Sequence, residues 1–444
     1  MPGAGCEPRR QPGVAIIRVR EQSTAQPVRL PAGRARADLG AFGHGQFRTD
    51  YEDRGDLAAL RDKRMERVQA ALAGSELDCL LLWKDENVRY LTGMRAQIIS
   101  GKSALTSGVL LRPDAAPILL CSGGDYQRVQ ASMTWIEELH PVPILEARGL
   151  VSGFVDETLR PLLDRHGLLG ARIGIDECSF IQVQEVERAL PDVRLDDGDS
   201  LMQECRRVKM VEELALMEEA AAIGEAVTSA AIAAVAPGVR ETDVAAEAMH
   251  ALYRLGGEMA HVATPFVASG EHMGPPTRLA TDKIIREGDL VFIDIGAMWS
   301  GYFADVARTV ICGCPSRPQR EVYTAVHEAL HAGIAAMKAG NTNDDVADAI
   351  VAAGHSHGLA DHFITLFIGH GIGVGANEPP YVGEDLPGAE TVELEAGMTF
   401  ALEPLIWLPG VRGGAGVRLE DTIAVGEDGG RVITRTAYDE RLLL

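Results

Sequence analysis

Positive charge is scarce in this sequence of 444 residues. Lysine and arginine together number 42, against 64 aspartates and glutamates, which gives a formal net charge of −22 at pH 7. A surface with this balance repels phosphate backbones rather than attracting them. We therefore expect no nucleic-acid partner.

The chain also lacks a long apolar run. The apolar stretch after Arg9 and Arg10 covers residues 14–17. It is far shorter than the apolar core of a signal peptide, which takes about 7–15 residues. No stretch approaches the roughly 20 apolar residues of a membrane-spanning helix. The sequence therefore predicts a cytoplasmic protein with no membrane partner.

Neither the cysteines nor the glycines form a familiar binding motif. The seven cysteines are scattered along the chain. Cys312 and Cys314 are close together but lack the two-residue gap of common zinc sites, so we interpret the cysteines as reduced, mostly structural thiols. The glycine-rich segment 369–375 is not followed by Gly-Lys-Ser or Gly-Lys-Thr, which argues against a phosphate loop.

Length and composition predict two folded domains after a poorly ordered extension. Hydrophobic residues make up 46% of the chain and charged residues 24%, which is enough apolar material for full cores. A single core usually stops growing at about 250 residues, so we expect the chain to divide. Residues 1–56 are rich in Pro, Gly, Arg and Gln and show no sustained period, whereas residues 57–200 alternate strand and helix patterns. This predicts an α/β domain over residues 57–200 and a second domain, of the α+β class, over residues 205–444.

The second domain contains the segments to which we assign chemistry. Four helices are predicted there: three cover residues 208–235, 242–255 and 318–339, and a fourth is opened by Thr342, with Asp345 three residues on as in a capping box. Residues 289–312 predict a hairpin that turns at Ser300-Gly301. The expected architecture is therefore a set of covering helices around paired strands.

Two aspartates occupy unusual positions in this hairpin. Asp294 and Asp305 each stand within an apolar strand pattern, and because successive side chains of a strand alternate faces, both could face one cleft. A buried carboxylate is costly unless something neutralises it, and a metal ion does so where several acids converge. For the hairpin alone, two solvated aspartates on an exposed sheet face are an equally good interpretation.

Three further segments place a histidine or an acid beside glycine or inside an apolar pattern: His370 in a Gly-His-Gly-Ile-Gly sequence, Glu403 before a proline, and Glu420 in Val-Arg-Leu-Glu-Asp. Together with the hairpin they supply four carboxylates and one imidazole. Such an oxygen-rich set suits two divalent ions of the Mn, Fe, Co or Zn kind, held about 3.5–4 Å apart.

With these motifs the sequence resembles the pita-bread metallopeptidases, which include methionine aminopeptidase, prolidase and aminopeptidase P, with creatinase as a metal-free relative. The resemblance covers about residues 57–435. It also includes Asn87-Val-Arg-Tyr90-Leu-Thr-Gly93 in the first domain and Arg206-Arg-Val-Lys209 at the start of the second. It implies an α+β protein with a pita-bread catalytic domain, an N-terminal α/β creatinase-like domain, and a homodimeric state.

The resemblance implies a ligand set for two divalent metal ions: Asp294, Asp305, His370, Glu403 and Glu420. It assigns bridging positions to Asp305 and Glu420 and the general base to Glu403, and it places Arg418 in support of Glu420. The implied reaction is the hydrolysis of a small amide, in particular the bond before proline in a dipeptide or at the N-terminus of a short peptide.

Two histidines typical of the family are missing. Asn377 stands seven residues after the ligand histidine, and Thr277 stands where a histidine precedes the first aspartate. Both can hydrogen-bond a substrate, although neither titrates near neutral pH, and we assign both to substrate orientation. His261 and His272 could replace the lost imidazoles, but a lone histidine is more often structural.

The missing histidines open the substrate question to non-peptide enzymes on the same scaffold, such as ectoine hydrolase and the dimethylsulfoniopropionate lyases. A metal-free, creatinase-like state is disfavoured because all five ligand positions are filled. The lyase branch carries an extra acid where this chain has Gly296 and Ala297, so we favour a hydrolase. A catalytically inactive binding protein is a further alternative, and the intact acids argue against it.

A rival motif lies on the predicted helix 318–339. His327-Glu328-Ala-Leu-His331 is a complete His-Glu-x-x-His sequence, the arrangement of zincin proteases. No third ligand is obvious nearby, and the helix follows directly on the hairpin, as a covering helix would. We therefore disfavour a zinc protease of this type.

Overall fold

The computed structural model describes residues 56–95, 107–262, 264–273, 279–384 and 387–444. The predicted extension lies outside these ranges except for Asp56, whose carboxylate accepts a hydrogen bond from the Ala59 amide at the start of the first helix. Thr277 also lies outside them.

A mixed six-stranded sheet organises the first region. Its strands are β1 (Cys79–Leu82), β2 (Ser107–Leu111), β3 (Ile118–Ser122), β4 (Glu138–Val142), β5 (Arg172–Ile175) and β6 (Arg194–Asp197). They lie in the order β4-β3-β2-β1-β5-β6. Strand β2 pairs antiparallel with both neighbours, whereas the other pairs are parallel. The predicted α/β character of this region is confirmed.

Seven helices accompany this sheet within the described ranges: α1 (Leu57–Ala73), α2 (Asp85–Thr92), α3 (Gly123–Ser132), α4 (Arg148–Phe154), α5 (Arg160–Arg165), α6 (Phe180–Ala189) and α7 (Asp199–Arg207). A π-helical turn, Val155–Leu159, joins α4 to α5. The core of the region packs Trp83 and Leu120 of the sheet side against Phe154 and Leu162 of the helices, which buries the apolar run that marked β1 in the sequence.

The second region begins with a long helix and contains four α-helices in the described chain: α8 (Val211–Ala234), α9 (Glu241–Arg254), α10 (Arg317–Ala336) and α11 (Asn343–His355). Short 3₁₀ turns occur at Gly270–His272, Ala360–His362 and Glu440–Leu442. The predicted helix over residues 208–235 starts three residues late. Val208 forms a bridge with Met398 and the Lys209 amide donates to Gly397, so tertiary pairing replaces the expected first turn.

Thirteen described strands form the sheets of this region: β7 (Phe266–Ser269), β8 (Leu290–Asp294), β9 (Ala297–Trp299), β10 (Tyr302–Ala304), β11 (Ala307–Ile311), β12 (Phe363–Ile364), β13 (Gly369–Gly371), β14 (Glu378–Val382), β15 (Thr399–Leu402), β16 (Leu405–Trp407), β17 (Gly416–Arg418), β18 (Asp421–Ala424) and β19 (Arg431–Val432). Their orders are β11-β8-β7, β10-β9, β12-β16-β17 and β14-β13-β15-β18-β19. The α+β class is confirmed.

The predicted hairpin is confirmed and consists of two nested antiparallel pairs. Strands β9 and β10 form the tip, and β8 and β11 form the base. Ser300 and Gly301 have φ of 48° and 82°, the left-handed conformation that a two-residue turn requires at both central positions. The nesting brings Asp294 opposite Ala307, so the two aspartates meet where the base and tip of the hairpin join.

The helices α10 and α11 cover the sheets with one apolar core. Val326, Leu330 and Ile350 are fully buried against Phe400 and Leu402 of β15. Within the described ranges, no helix combines the length and the apolar character needed to cross a membrane. The six cysteines that the structure describes are free thiols, as the sequence predicts, and Cys6 lies outside the described residues.

Candidate metal centre

The five residues proposed as ligands lie at the ends of strands, between strands or within a strand, and these strands belong to four sheets. Asp294 ends β8, Asp305 separates β10 from β11, His370 is the centre of β13, Glu403 follows β15, and Glu420 separates β17 from β18. All five are at most 4% exposed. The exposed sheet face considered for the hairpin aspartates is therefore wrong.

The acids converge in two groups whose ligand atoms lie within 4.8 Å of one another: His261, Asp294 and Asp305 in one, and Asp305, His370 and Glu420 in the other. Asp305 belongs to both groups, as a bridging carboxylate would. Glu403 completes the set, since its Oε1 lies 3.8 Å from His370 Nε2.

Arg418 is the cation that faces these acids. Its Nη1 lies 2.8 Å from Glu403 Oε2 and donates to Asp294 Oδ2 at 3.0 Å. The sequence resemblance placed Arg418 in support of Glu420, but its close contacts are with Asp294 and Glu403.

Burial and mutual repulsion dominate the electrostatics of the centre. Burial, followed by the charges of Asp294 and Glu403, raises the pKa of Asp305 well above its ordinary value. Burial, followed by Asp305, raises the pKa of Glu420 in the same way. For Arg418 the carboxylates outweigh burial and raise the pKa. One buried cation therefore faces more negative charge than it can balance.

The donor set fits divalent metal ions. In the described chain, three buried carboxylate oxygens of this centre have no hydrogen-bond partner: Asp294 Oδ1, Asp305 Oδ1 and Glu420 Oε2. A buried acceptor without a partner is costly, and a cation is the usual remedy. Oxygen donors with a single imidazole suit first-row divalent ions.

Hydrogen bonds from neighbouring strands hold the backbone of the ligands. The Thr422 hydroxyl accepts from the Asp305 amide at 2.9 Å and donates to the Asp305 carbonyl at 2.8 Å. Arg308, which is 1% exposed, donates to the Glu420 carbonyl at 2.6 Å and to Asp421 at 2.8 Å. These bonds hold the backbone positions from which the carboxylates of Asp305 and Glu420 project.

Of the two residues assigned to substrate orientation, the structure describes only Asn377. Asn377 is exposed, next to the buried Glu378 that ends the loop after β13. Thr277 lies outside the described residues. The substrate-orienting roles of both residues stay predictions.

A second histidine, His261, lies beside the proposed ligands. His261 was one of two candidate replacements, and the structure separates them. His261 Nε2 lies 3.2 Å from Asp305 Oδ2 and 3.4 Å from Asp294 Oδ1, whereas His272 Nδ1 faces Glu241. Burial lowers the pKa of His261 to about 4. No pattern in the sequence around His261 marks it, because it lies in an irregular segment before β7.

The His-Glu-x-x-His motif lies on α10 and does not form a metal centre among the described residues. The rings of His327 and His331 pack on Tyr438 with centroid distances of 4.8 and 5.6 Å. His331 Nδ1 donates to the His327 carbonyl, and Glu328 pairs with His357. The three side chains of the motif make contacts with neighbouring residues, which agrees with the rejection of the zincin interpretation.

Two family models match the chain. Metallopeptidase family M24 matches residues 215–427, which include all five proposed ligands. The creatinase/prolidase N-terminal domain matches residues 64–208. Both matches agree with the order of the two regions in the structure.

Curated and solved relatives point the same way. An Xaa-Pro dipeptidase of Pyrococcus furiosus is 36% identical over 249 residues, which cover 55% of this chain and 67% of the relative. An Xaa-Pro dipeptidase of Pyrococcus horikoshii is 28% identical over 85% of this chain and 98% of its own length. The crystal structure of a dipeptidase from Pyrococcus horikoshii matches with a TM-score of 0.72 and 27% identity, over 85% of this chain and 99% of that chain. The chain belongs to metallopeptidase family M24 and carries a creatinase/prolidase N-terminal domain ahead of a pita-bread catalytic domain.

Proposed function

We propose that the protein is a dinuclear-metal hydrolase of the Xaa-Pro dipeptidase type, which cleaves the bond before proline in dipeptides or at the N-terminus of short peptides. The observation that carries this proposal is the convergence of buried acids around Asp305, with carboxylate oxygens that have no partner among the described residues. Curated relatives that cover most of the chain bear the name Xaa-Pro dipeptidase, which supports the choice of substrate class.

The proposed ligand set is the one that the sequence indicated: Asp294, Asp305, His370, Glu403 and Glu420. Asp305 and Glu420 are the proposed bridges, and the membership of Asp305 in both close groups supports its role. Mn, Fe, Co and Zn all suit such a set. When bound, the two ions supply a Lewis acid for the scissile carbonyl and lower the pKa of a water molecule.

Glu403 is the proposed general base. Arg418 contacts its Oε2, which leaves Oε1 on the side of His370. At Oε1 the carboxylate can take a proton from the attacking water and return it to the leaving proline nitrogen. Arg418 also donates to Asp294. The same guanidinium therefore holds a proposed ligand, Asp294, and the proposed base, Glu403, at a fixed distance from each other.

Asn377 and Thr277 are the proposed substrate-orienting residues. The Asn377 amide can donate a hydrogen bond to a substrate oxygen, and its exposure leaves it accessible to a substrate. A hydroxyl at position 277 can donate or accept. Neither group needs to change its charge for this role.

We also propose the finer organisation that the sequence indicates. Residues 1–56 form an extension, residues 57–200 the N-terminal domain and residues 205–444 the catalytic domain. The protein acts in the cytoplasm as a homodimer, on a small or short-peptide substrate.

The test of this function is proline release. The chain is reconstituted separately with Mn, Fe, Co and Zn and assayed on a panel of Xaa-Pro dipeptides and short Xaa-Pro peptides. We expect turnover with at least one metal, and Asp305→Ala should lose bound metal and turnover together. An Asp305→Ala protein that keeps both its bound metal and its activity would overturn the proposal.

Bound metal without proline release would direct the search elsewhere on the same scaffold. Small cyclic amides and lyase substrates would then be assayed with the same metal-loaded protein. That result would refute the substrate class while leaving the metal centre in place.

A further inference from the structure

The two histidines of the metal centre are fixed in opposite tautomers by the backbone. His370 Nδ1 lies 2.9 Å from the carbonyl oxygen of Gly371. A carbonyl can only accept, so Nδ1 must carry the proton. Nε2 of His370 therefore carries a lone pair and no proton. This is the form of imidazole nitrogen that binds a metal.

His261 has the reverse arrangement. Its Nδ1 accepts the backbone N–H of Gly296 at 2.8 Å. A nitrogen that accepts cannot carry a proton, so the proton of the neutral ring sits on Nε2. This Nε2 lies beside the acids, 3.2 Å from Asp305 Oδ2 and 3.4 Å from Asp294 Oδ1.

We infer that His261 is a positioning residue which donates Nε2–H to Asp305, and not a sixth metal ligand. Nδ1 already uses its lone pair to accept from Gly296. If Nε2 also used a lone pair to bind an ion, the ring would carry no proton and would be an imidazolate anion. The inference rests on the proposed function, since it assigns a role toward the proposed metal ligands.

The contact leaves Asp305 able to bind metal. A carboxylate oxygen has two acceptor positions, so Oδ2 can receive the N–H and still hold an ion. Asp305 Oδ1 is buried without a partner in the described chain. His261 thus fixes the orientation of the carboxylate that belongs to both close groups, as hydrogen-bond partners of ligands commonly do.

The segment that carries His261 is itself held firmly. The Glu258 amide donates to Met298 of β9, and the Met298 amide donates to Met259, both at 2.8 Å. The ring is 8% exposed and meets Phe266 edge to face at 6.3 Å. The ring is thus held by the Gly296 amide, by Phe266 and by the acids. A ring held in this way can keep a carboxylate in one orientation.

Three replacements of His261 separate the roles of its two nitrogens. His261→Gln places an amide N–H at about the reach of Nε2, so it retains the donor to Asp305. His261→Asn retains only an acceptor near Gly296, and His261→Ala retains neither. His331→Ala is the matched control, because it removes an exposed imidazole of α10 whose contacts lie outside the centre.

The readouts do not depend on peptidase activity. Each full-length variant is titrated with Mn²⁺ by calorimetry, its metal content is measured after gel filtration, and the visible spectrum of its Co²⁺ form is recorded. Thermal melting of the metal-free proteins identifies any variant that fails to fold. The Gln variant keeps the experiment decisive if the Ala variant does not fold.

We expect two ions per chain in the wild type and in all three His261 variants, with Co²⁺ bands at the wild-type positions. Affinity should fall about tenfold in the Asn and Ala variants and return to within a few fold of wild type in the Gln variant. The inference is overturned if a His261 variant binds one ion instead of two, or if all three variants bind like the wild type.

Failure of this inference and failure of the proposed function are distinguishable. If the wild type binds two ions and the Gln variant rescues affinity but no protein releases proline, the peptidase proposal fails and the role of His261 stands. If proline is released but His261→Asn loses an ion, His261 is a ligand and the peptidase proposal stands. A wild type that binds no divalent ion overturns both.

Discussion

Arg89 and Glu258 form a two-pronged ion pair that joins α2 of the first region to the segment leading to His261. Nη1 donates to Oε2 at 2.6 Å and Nη2 donates to Oε1 at 2.9 Å. The two side chains are 14% and 6% exposed. The N-terminal region is thereby bonded to the chain segment that reaches the metal centre, so its structural integrity and that of the centre are coupled.

Removal of one partner of this pair should be costly. Arg89→Met leaves the Glu258 carboxylate buried without its main counter-charge, which typically costs about 3–5 kcal/mol, whereas an apolar replacement of both partners costs far less. We therefore expect a lower urea midpoint for Arg89→Met and a substantial recovery in Arg89→Met/Glu258→Met. Arg317→Met, which breaks a pair with side chains 86% and 43% exposed, is the control and should leave the midpoint unchanged. Equal midpoints for the two single variants would contradict the coupling.

The same pair predicts a pH dependence with a defined sign. Burial acts to raise the pKa of Glu258, but the Arg89 guanidinium outweighs it and the pKa is lowered below 4.5. A carboxyl with a lowered folded pKa stabilises the fold above its unfolded pKa, and this contribution is lost as pH falls through the folded pKa. The stability difference between wild type and Arg89→Met should therefore be largest near neutral pH and should narrow as the pH falls below about 4.5. Urea titrations between pH 3.5 and 7 measure it, and a difference that widens in acid would refute the assignment.

Gly301 offers an independent probe of the same contact. It has φ of 82°, and a Cβ built on it would lie 2.6 Å from Arg89 Nε. Gly238 has φ of 92°, but a Cβ there meets nothing within 4 Å. Gly238→Ala should cost only the left-handed strain of about 1–2 kcal/mol, and Gly301→Ala should cost distinctly more. Calorimetric melting of both variants measures the loss of stability in each. Equal losses would show that the Arg89 side chain moves away from the new methyl group with no energetic penalty.

The sequence predicts the hairpin and its ligands because each leaves a local mark. Ser300-Gly301 has the residue types of a two-residue turn, and Asp294 stands in an apolar run where a charge is costly. Such marks depend only on neighbours along the chain. They suffice for the fold class and for the candidate acids, whereas the full proposed ligand set comes from the resemblance to the family.

Contacts between distant strands leave no such mark. The resemblance to the family assigns Arg418 to the support of Glu420, yet its guanidinium contacts Asp294 and Glu403. The tautomer of His261 depends on the Gly296 amide, which belongs to another segment. Periodicity along the chain cannot encode either relationship, because both arise from tertiary packing.

The His-Glu-x-x-His motif of α10 gives a prediction that distinguishes the proposed metal centre around Asp305 from a zincin-type centre on this helix. His331→Ala should change proline release by less than about twofold and leave the metal content unchanged, since the ring contacts Tyr438 and the His327 backbone and such surface changes usually have small effects. Metal analysis and the proline assay test this together. Loss of metal in His331→Ala would restore the zincin interpretation.

Asp305→Asn should change stability in opposite directions with and without metal. In the metal-free chain the substitution replaces a carboxyl whose charged form is disfavoured by burial and by the neighbouring acids, so the melting temperature should rise. With excess Mn²⁺ the wild type gains about 2.7 kcal/mol at a metal concentration of 100 times Kd, and the variant, which lacks the carboxylate shared by both groups, gains little. Melting curves in chelator and in Mn²⁺ should therefore rank the two proteins in reverse order. Asp428→Asn, the same change at an exposed turn, should leave both curves in place. A variant that melts below the wild type in chelator would show that Asp305 stabilises the fold even without metal, which the unpartnered Oδ1 argues against.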